Sequence, residues 1–213
     1  MFIVNKMPQS LSAESYRSIR TSIKYSSVDN PIKTIVITSS NSSEGKSTVA
    51  GNLAFSLSQN GSRTLLIDCD LRKPSVHKKF LIPNDKGLTD VLFDKQDLKE
   101  VIKKIENNLY VLPCGTIPPN PAEILGSKTM EEFLDKLSIN YDYIILDTPP
   151  VLAVTDAQLL AAKADATVLV VKANKTKGKT VVNSYKELEK VKANIIGTIL
   201  NDYDNSVERL YYR

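Results

Sequence analysis

Cysteine is scarce in this sequence: Cys69 and Cys114 are the two in 213 residues, and neither forms a Cys-x-x-Cys pair or stands beside the single histidine, His77. Zinc or iron–sulfur sites built on cysteine are thereby disfavoured, and a reducing compartment with both cysteines as packing residues is expected. Long apolar runs are also missing. Nothing approaches the roughly 18 residues that cross a bilayer, and Met1-Phe2-Ile3-Val4 is too short for a signal sequence, so the sequence predicts a cytoplasmic protein. Charge of one sign is not concentrated either. The net charge is +4, and the seven basic residues between Lys172 and Lys192 read as a solvated helix face, so nucleic acid is not an expected partner. With 42% hydrophobic and 24% charged residues, the chain has the composition of one ordinary soluble domain.

What the sequence does hold is a β-branched run, Thr34-Ile35-Val36-Ile37-Thr38, followed by Ser39-Ser40-Asn41-Ser42-Ser43-Glu44-Gly45-Lys46-Ser47-Thr48 and then an apolar, Ala-rich helical segment. A buried strand, a loop of small residues and a helix opening at Gly-Lys-Ser aim backbone N–H groups at one point, where a polyphosphate can sit. Ser43, Glu44, Gly45, Lys46, Ser47 and Thr48 are the expected nucleotide contacts. Lys46 would reach the β and γ phosphates, and the Ser47 hydroxyl would ligate Mg²⁺. A strict phosphate loop has glycine five places before Gly45, where this chain has Ser40. Serine takes that bend only at negative φ, so the first turn must differ in detail from a glycine-initiated one.

Along the chain, Leu11, Tyr16, Ile19 and Ile23 recur at helical intervals over residues 10–25, with Glu14, Arg17 and Arg20 on one face. Charges so spaced usually form a solvated stripe, and an interaction surface is the alternative. A helix over 46–59 should stop at Asn60-Gly61, and a strand at 64–67 runs into Asp68-Cys69-Asp70-Leu71-Arg72-Lys73-Pro74. Residues 88–105 read as a helix, 109–112 as a strand, Pro118-Pro119-Asn120-Pro121 as an irregular connection, and 131–137 as a helix. The apolar strand 143–146 ends in Asp147, the pattern that places a carboxylate near Mg²⁺. Helices at 157–162 and 180–191 and strands at 166–171 and 195–200 complete an alternation that implies a mainly parallel sheet with both faces covered. Ligands of such sheets bind past the carboxyl ends of the strands, where the loop, Asp68, Asp70, Arg72 and Asp147 would meet. Beyond the last strand, Tyr203, Tyr211 and Tyr212 place three of the nine tyrosines in a polar tail of eleven residues. Core packing does not explain that cluster; a tail folded back as an aromatic clasp is the alternative.

Together the loop, Leu-Ile-Asp68-Cys-Asp70-Leu-Arg72-Lys-Pro74, Leu146-Asp147-Thr-Pro-Pro150, Pro118-Pro-Asn-Pro-Ala-Glu123 and Glu14-x-x-Arg17-x-x-Arg20 resemble a bacterial tyrosine kinase over nearly the whole chain. The form resembled is the separate cytoplasmic kinase of capsule and exopolysaccharide clusters. The resemblance implies a P-loop three-layer α/β/α domain at residues 31–201, an N-terminal oligomerisation helix segment at 1–30 and a flexible tyrosine-bearing tail at 202–213. It makes Lys46 and Ser47 part of the Walker A motif, Asp68 and Asp70 part of Walker A′, Asp147 the Walker B carboxylate, and Tyr203, Tyr211 and Tyr212 the autophosphorylated acceptors. ATP and Mg²⁺ are the implied cofactors, with Ser47, Asp68 and Asp147 around the metal, Arg72 on the nucleotide and Asp70 as the base, although Asp68 and Asp70 could exchange roles. Implied partners are a membrane adaptor of the polysaccharide co-polymerase type, a phosphotyrosine phosphatase, and further copies forming a ring through Glu14, Arg17 and Arg20. The adaptor would hold the chain at the inner face of the plasma membrane. Two departures stand out: Ser42-Ser43 occupies the place where relatives usually have Pro-Gly, and only two tail tyrosines are adjacent. A eukaryotic-type kinase is excluded, because His-Arg-Asp and Asp-Phe-Gly are absent and His77 precedes a lysine. The remaining alternatives are a partition-type or cell-division ATPase, which should have lysine at Asn41, and an ATP-gated scaffold that transfers nothing to tyrosine.

Overall fold

The computed structural model describes residues 2–26, 31–94 and 96–203. Tyr211 and Tyr212 lie outside the described residues. Two helices, α1 (Ile3–Lys6) and α2 (Leu11–Tyr25), precede the first strand, β1 (Thr34–Ser39), which leads through the Ser-rich loop into α3 (Lys46–Gln59). The chain continues through β2 (Thr64–Asp68), α4 (Val76–Phe80), α5 (Leu88–Phe93), α6 (Leu98–Val101), β3 (Lys103–Glu106) and β4 (Leu109–Leu112). Then follow α7 (Pro121–Gly126), α8 (Lys128–Ser138), β5 (Tyr143–Asp147), α9 (Asp156–Ala161), β6 (Ala166–Lys172), α10 (Gly178–Lys190) and β7 (Ile195–Asn201).

The seven strands form one sheet in the order β3-β4-β2-β5-β1-β6-β7, parallel throughout except for β3, which runs antiparallel to β4 at the edge. Strands β1, β2 and β5 are almost wholly buried, as expected for β-branched and leucine-rich runs covered on both faces. One core packs α2 and α3 against the sheet, and a second packs α7, α8 and α9 against the other face. Helix α3 is buried for most of its length, because α1 and α2 lie over it. Phe2, Phe55 and Phe80 form an aromatic cluster there, with ring centroids 4.4–5.8 Å apart, and Phe2 sits where Gly51 has no side chain.

Four elements were not anticipated: α1, α4, α7 and β3. The helix expected over 88–105 breaks in three. Asp97 accepts from the Lys99 N–H and so starts α6, and past Ile102 the polar run Lys-Lys-Ile-Glu pairs with β4. Pro121, placed in an irregular connection by the sequence, is instead the first residue of α7, where its missing N–H costs nothing. The amino-terminal helix forms as expected, but Ala13 rather than Leu11 joins Tyr16 and Ile23 in the core. Both cysteines are buried and unpaired. No helix among the described residues is long and apolar enough to cross a membrane.

Candidate active site at the carboxyl edge of the sheet

The loop after β1 is anchored from several sides. Ser40 is not in the left-handed region, and the positive φ falls instead on Ser43, at 62°. A left-handed non-glycine residue costs about 1–2 kcal/mol. Replacing Ser43 by glycine, which also gains unfolded-state entropy, is therefore expected to raise unfolding free energy by about 0.5–1 kcal/mol, and Ser43→Val to lower it by at least that much. Denaturant titration measures both, and a destabilised Ser43→Gly would refute the strain. Gly45 has φ 99°, and a Cβ there would meet Asn201 Nδ2 at 2.1 Å. That amide donates to the Glu44 carbonyl at 3.0 Å, tying the end of β7 to the loop. The Glu44 side chain is buried and accepts from the Asn41 N–H, from Asn41 Nδ2 and from Thr176 Oγ1, at 3.2, 3.2 and 2.7 Å. Glu44 thus serves the loop through its side chain, and Ser184 Oγ holds Ser40 Oγ at 2.7 Å.

Helix α3 opens directly after Gly45, so its first N–H groups face the concavity of the loop. Lys46 is largely buried there. Ser47 accepts from Ser75 Oγ at 2.8 Å, and Thr48 Oγ1 accepts from Lys79 Nζ at 3.0 Å. Across the edge, Asp68 and Asp147 end adjacent strands in matched register. Asp68 accepts from the N–H groups of Asp70, Ser75 and Val76 at 3.2, 3.0 and 2.9 Å, which folds the segment between β2 and α4 around it. Its carboxyl is nevertheless pushed well above the usual range by burial and by the adjacent Asp147 charge. Both Asp147 oxygens are buried with no hydrogen-bond partner. Burial lifts that carboxyl to about 7, against the opposing pull of the nearby Ser47 hydroxyl and Lys46 ammonium.

A buried carboxylate without donors, beside a hydroxyl that can turn a lone pair toward it, fits a hard oxygen-seeking dication. Among the described residues no group of three or more His, Cys, Asp or Glu could hold a metal alone. Magnesium suits such a site, because it is commonly held by one or two carboxylates with water and phosphate oxygens. Asp70 is half-exposed and accepts one N–H, that of Lys73, at 3.0 Å; burial raises its carboxyl and Lys46 opposes the rise.

Arg72 is held by Asp156, a buried carboxylate at the start of α9, through Nε at 2.9 Å and Nη2 at 3.0 Å. This pair fastens the loop after β2 to the segment after β5. Asp156, Asn201, Thr176, Ser75 and Lys79 were missed by sequence reasoning. Only Asn201 had a signal, its place at the carboxyl end of a strand. His77 lies in the first turn of α4. On α2, Glu14 and Arg17 pair at 2.6 Å, Arg17 also donates to the Pro8 carbonyl, and Arg20 donates to the Ser56 carbonyl of α3 at 2.8 Å. The three are therefore not a purely solvated stripe. Tyr203 is exposed just past β7, and Asp202 before it pairs with Lys172 at 3.0 Å.

A parallel sheet flanked by helices, with a strand–loop–helix phosphate cradle facing two strand-end carboxylates, defines a P-loop three-layer α/β/α domain, and the family model described as an AAA domain matches residues 32–201. The tyrosine-protein kinase YwqD of Bacillus subtilis is 46% identical over 195 residues, covering 91% of this chain and 82% of that protein. The crystal structure of the chimerical protein CapA2B2 superposes with a TM-score of 0.91 at 38% identity, covering 95% of this chain and 89% of that one. The chain belongs to the bacterial tyrosine-protein kinases. Likeness to the septum site-determining protein MinD of Pyrococcus horikoshii, complexed with Mg-ADP, is weaker: TM-score 0.68 at 26% identity, over 82% of this chain and 72% of that one.

Proposed function

We propose that this protein transfers the γ-phosphoryl group of ATP to tyrosine hydroxyls on the C-terminal tail of a neighbouring copy, and that this activity regulates capsular or exopolysaccharide synthesis. The observation that carries the mechanism is the register-matched pair Asp68 and Asp147 facing the start of α3. Phosphoryl transfer asks little covalent chemistry of a protein and depends on positioning and charge stabilisation. The loop N–H groups and Lys46 hold the β and γ phosphates. Ser47, Asp147 and Asp68 surround the Mg²⁺ position; when bound, the ion neutralises charge on the phosphate oxygens. As the tyrosine oxygen bonds to the γ phosphorus, the bridging P–O bond breaks, ADP departs, and the phenolic proton passes to a carboxylate. Asp70 is that base. It is the more exposed of the two and is held by the Lys73 N–H, with the Arg72 N–H nearby, whereas Asp68 is buried and occupied by three N–H groups. A partition-type ATPase is the more distant likeness.

The tail leaves from Asn201, which touches the phosphate loop, so Tyr203 starts beside its own site and Tyr211 and Tyr212 would need a tight reversal to enter it. Transfer between copies avoids that reversal. Glu14, Arg17 and Arg20 would form the contact in a closed ring, a heterologous interface. An adaptor in the membrane would supply activation and location, and a phosphatase the reversal. The deciding experiment is incubation with Mg-ATP, with and without the adaptor's cytoplasmic segment, followed by phosphotyrosine mapping. Tyr203→Phe, Tyr211→Phe and Tyr212→Phe together should remove nearly all label, and label persisting on Tyr16 or Tyr25 would refute the acceptor assignment. Arg17→Ala with Arg20→Ala should convert a multimer to monomers in light scattering while thermal denaturation still shows one cooperative transition. A double variant that keeps its multimeric mass would exclude this face from assembly.

A further inference from the structure

A groove of about 760 Å³ lies away from the phosphate loop, between α5, α6, β3 and α8. Its floor is apolar, with Leu92, Leu98, Ile102, Phe133 and the rings of Tyr110 and Tyr141. Its rim has Arg63, Lys99, Lys104 and Lys136 against a single carboxylate, Glu132. Among the described residues none of these four cations forms a salt bridge, and Glu132 already has a partner in Lys128 at 3.7 Å. The Arg63 guanidinium lies 5.2 Å from the Tyr110 ring centroid and 5.1 Å from that of Tyr141, a double ring contact that positions it at the rim. An apolar floor within a ring of unmatched positive charge suits a ligand with a flat hydrophobic body and a compact multiple negative charge.

We propose that this groove binds phosphotyrosine, presented by the phosphorylated tail of a second copy of the chain; the occupant rests on the tyrosine-kinase reading above. The phenyl ring would lie on the floor, and the phosphate, with nearly two negative charges, would meet Arg63 and the rim lysines. A neighbouring groove of about 590 Å³, shared along Leu92 and Thr129, is lined by Asp90, Asp94 and Glu123 without a basic residue and would repel the same group. A tail reaches the groove of its own chain only at full extension and without any detour around the domain. Tyr211 is eight residues past Tyr203, at most about 29 Å of extended backbone. From β7 to β4 is five strand spacings, about 24 Å. Arg63 and Tyr141 precede β2 and β5, so the groove opens at the amino ends of the strands while the tail leaves from the carboxyl end. The path must also descend about 16 Å of strand and go around the molecule.

The test uses synthetic peptides of residues 202–213, unmodified or phosphorylated on Tyr211 and Tyr212, binding to the full chain in fluorescence anisotropy. The phosphopeptide should bind at least tenfold more tightly than the unmodified one. Lys104→Glu with Lys136→Glu, both exposed positions, should weaken phosphopeptide binding at least tenfold and leave autophosphorylation unchanged. Arg63→Lys, which keeps the charge and loses the flat contact, should also weaken it. Equal affinity for the two peptides, undiminished phosphopeptide binding in the charge-reversed protein, or a phosphoserine peptide binding as tightly would overturn the proposal. Because the phosphate is introduced by synthesis, the result does not depend on whether the chain is itself a kinase.

Discussion

Lys46→Met is expected to abolish tail phosphotyrosine while the chain still folds, with a melting transition lowered only as far as Asp147 and Asp70 lose a neighbouring positive charge. The lysine is largely buried at the opening of α3, and no salt bridge engages its ammonium among the described residues, although its charge opposes the raised carboxyls of Asp147 and Asp70. Methionine keeps the length and most of the volume of the side chain, so packing around it is largely preserved. Charge stabilisation of the transferring group is lost, which in comparable sites costs about 10²–10³-fold in rate. Phosphotyrosine detection after incubation with Mg-ATP, beside a melting curve of the same sample, measures both halves. Undiminished phosphorylation would remove Lys46 from the site.

Asp147→Asn is expected to gain stability while losing activity. In the wild-type chain neither oxygen of this buried carboxyl has a hydrogen-bond partner, although the Ser47 hydroxyl lies near enough to oppose the rise, and its pKa of about 7 compares with an ordinary value of 3.8. A raised acid binds more protons in the folded than in the unfolded state across that interval, so folded stability falls as pH rises from about 4 to about 7. At 1.36 kcal/mol per unit, the full penalty above pH 7 is on the order of 4 kcal/mol, and the adjacent Asp68 suffers from the same charge. Asparagine keeps the shape without the charge. Without metal the variant should therefore melt above wild type at pH 8, and the two should converge near pH 4. With Mg-ATP the order of benefit reverses: the wild type gains stability on binding and the variant gains little. Its phosphotyrosine should fall at least a hundredfold. A variant melting below wild type at pH 8 without metal would mean that a donor satisfies the carboxylate.

Much of this site was legible before any coordinates, because its parts come from local grammar. The apolar strands β1, β2 and β5 end at Ser39, Asp68 and Asp147, and a parallel sheet brings such ends to one edge. That Ser40 keeps out of the left-handed region was also readable; that the left-handed residue falls on Ser43 was not. What the sequence did not disclose depends on tertiary pairing. Strand β3 is Lys-Lys-Ile-Glu, a polar edge with no period of its own, defined by its hydrogen bonds to β4. Asp156 and Arg72 are 84 residues apart and meet only because α9 starts beside the loop after β2. Glu14, Arg17 and Arg20 share a helix face in both readings, but contact with Ser56 appears only when α2 is laid on α3.

The hydrogen bond from Asn201 to the Glu44 carbonyl has a practical meaning for anyone altering the C-terminus. The final residue of β7 is a fastener of the phosphate loop, so any truncation that reaches it loosens the loop. Deletions that spare Asn201 and the Lys172–Asp202 pair keep this fastening. A cut two residues earlier unfastens the loop itself. Any shortening of the C-terminus thus meets a fixed stop set by one amide.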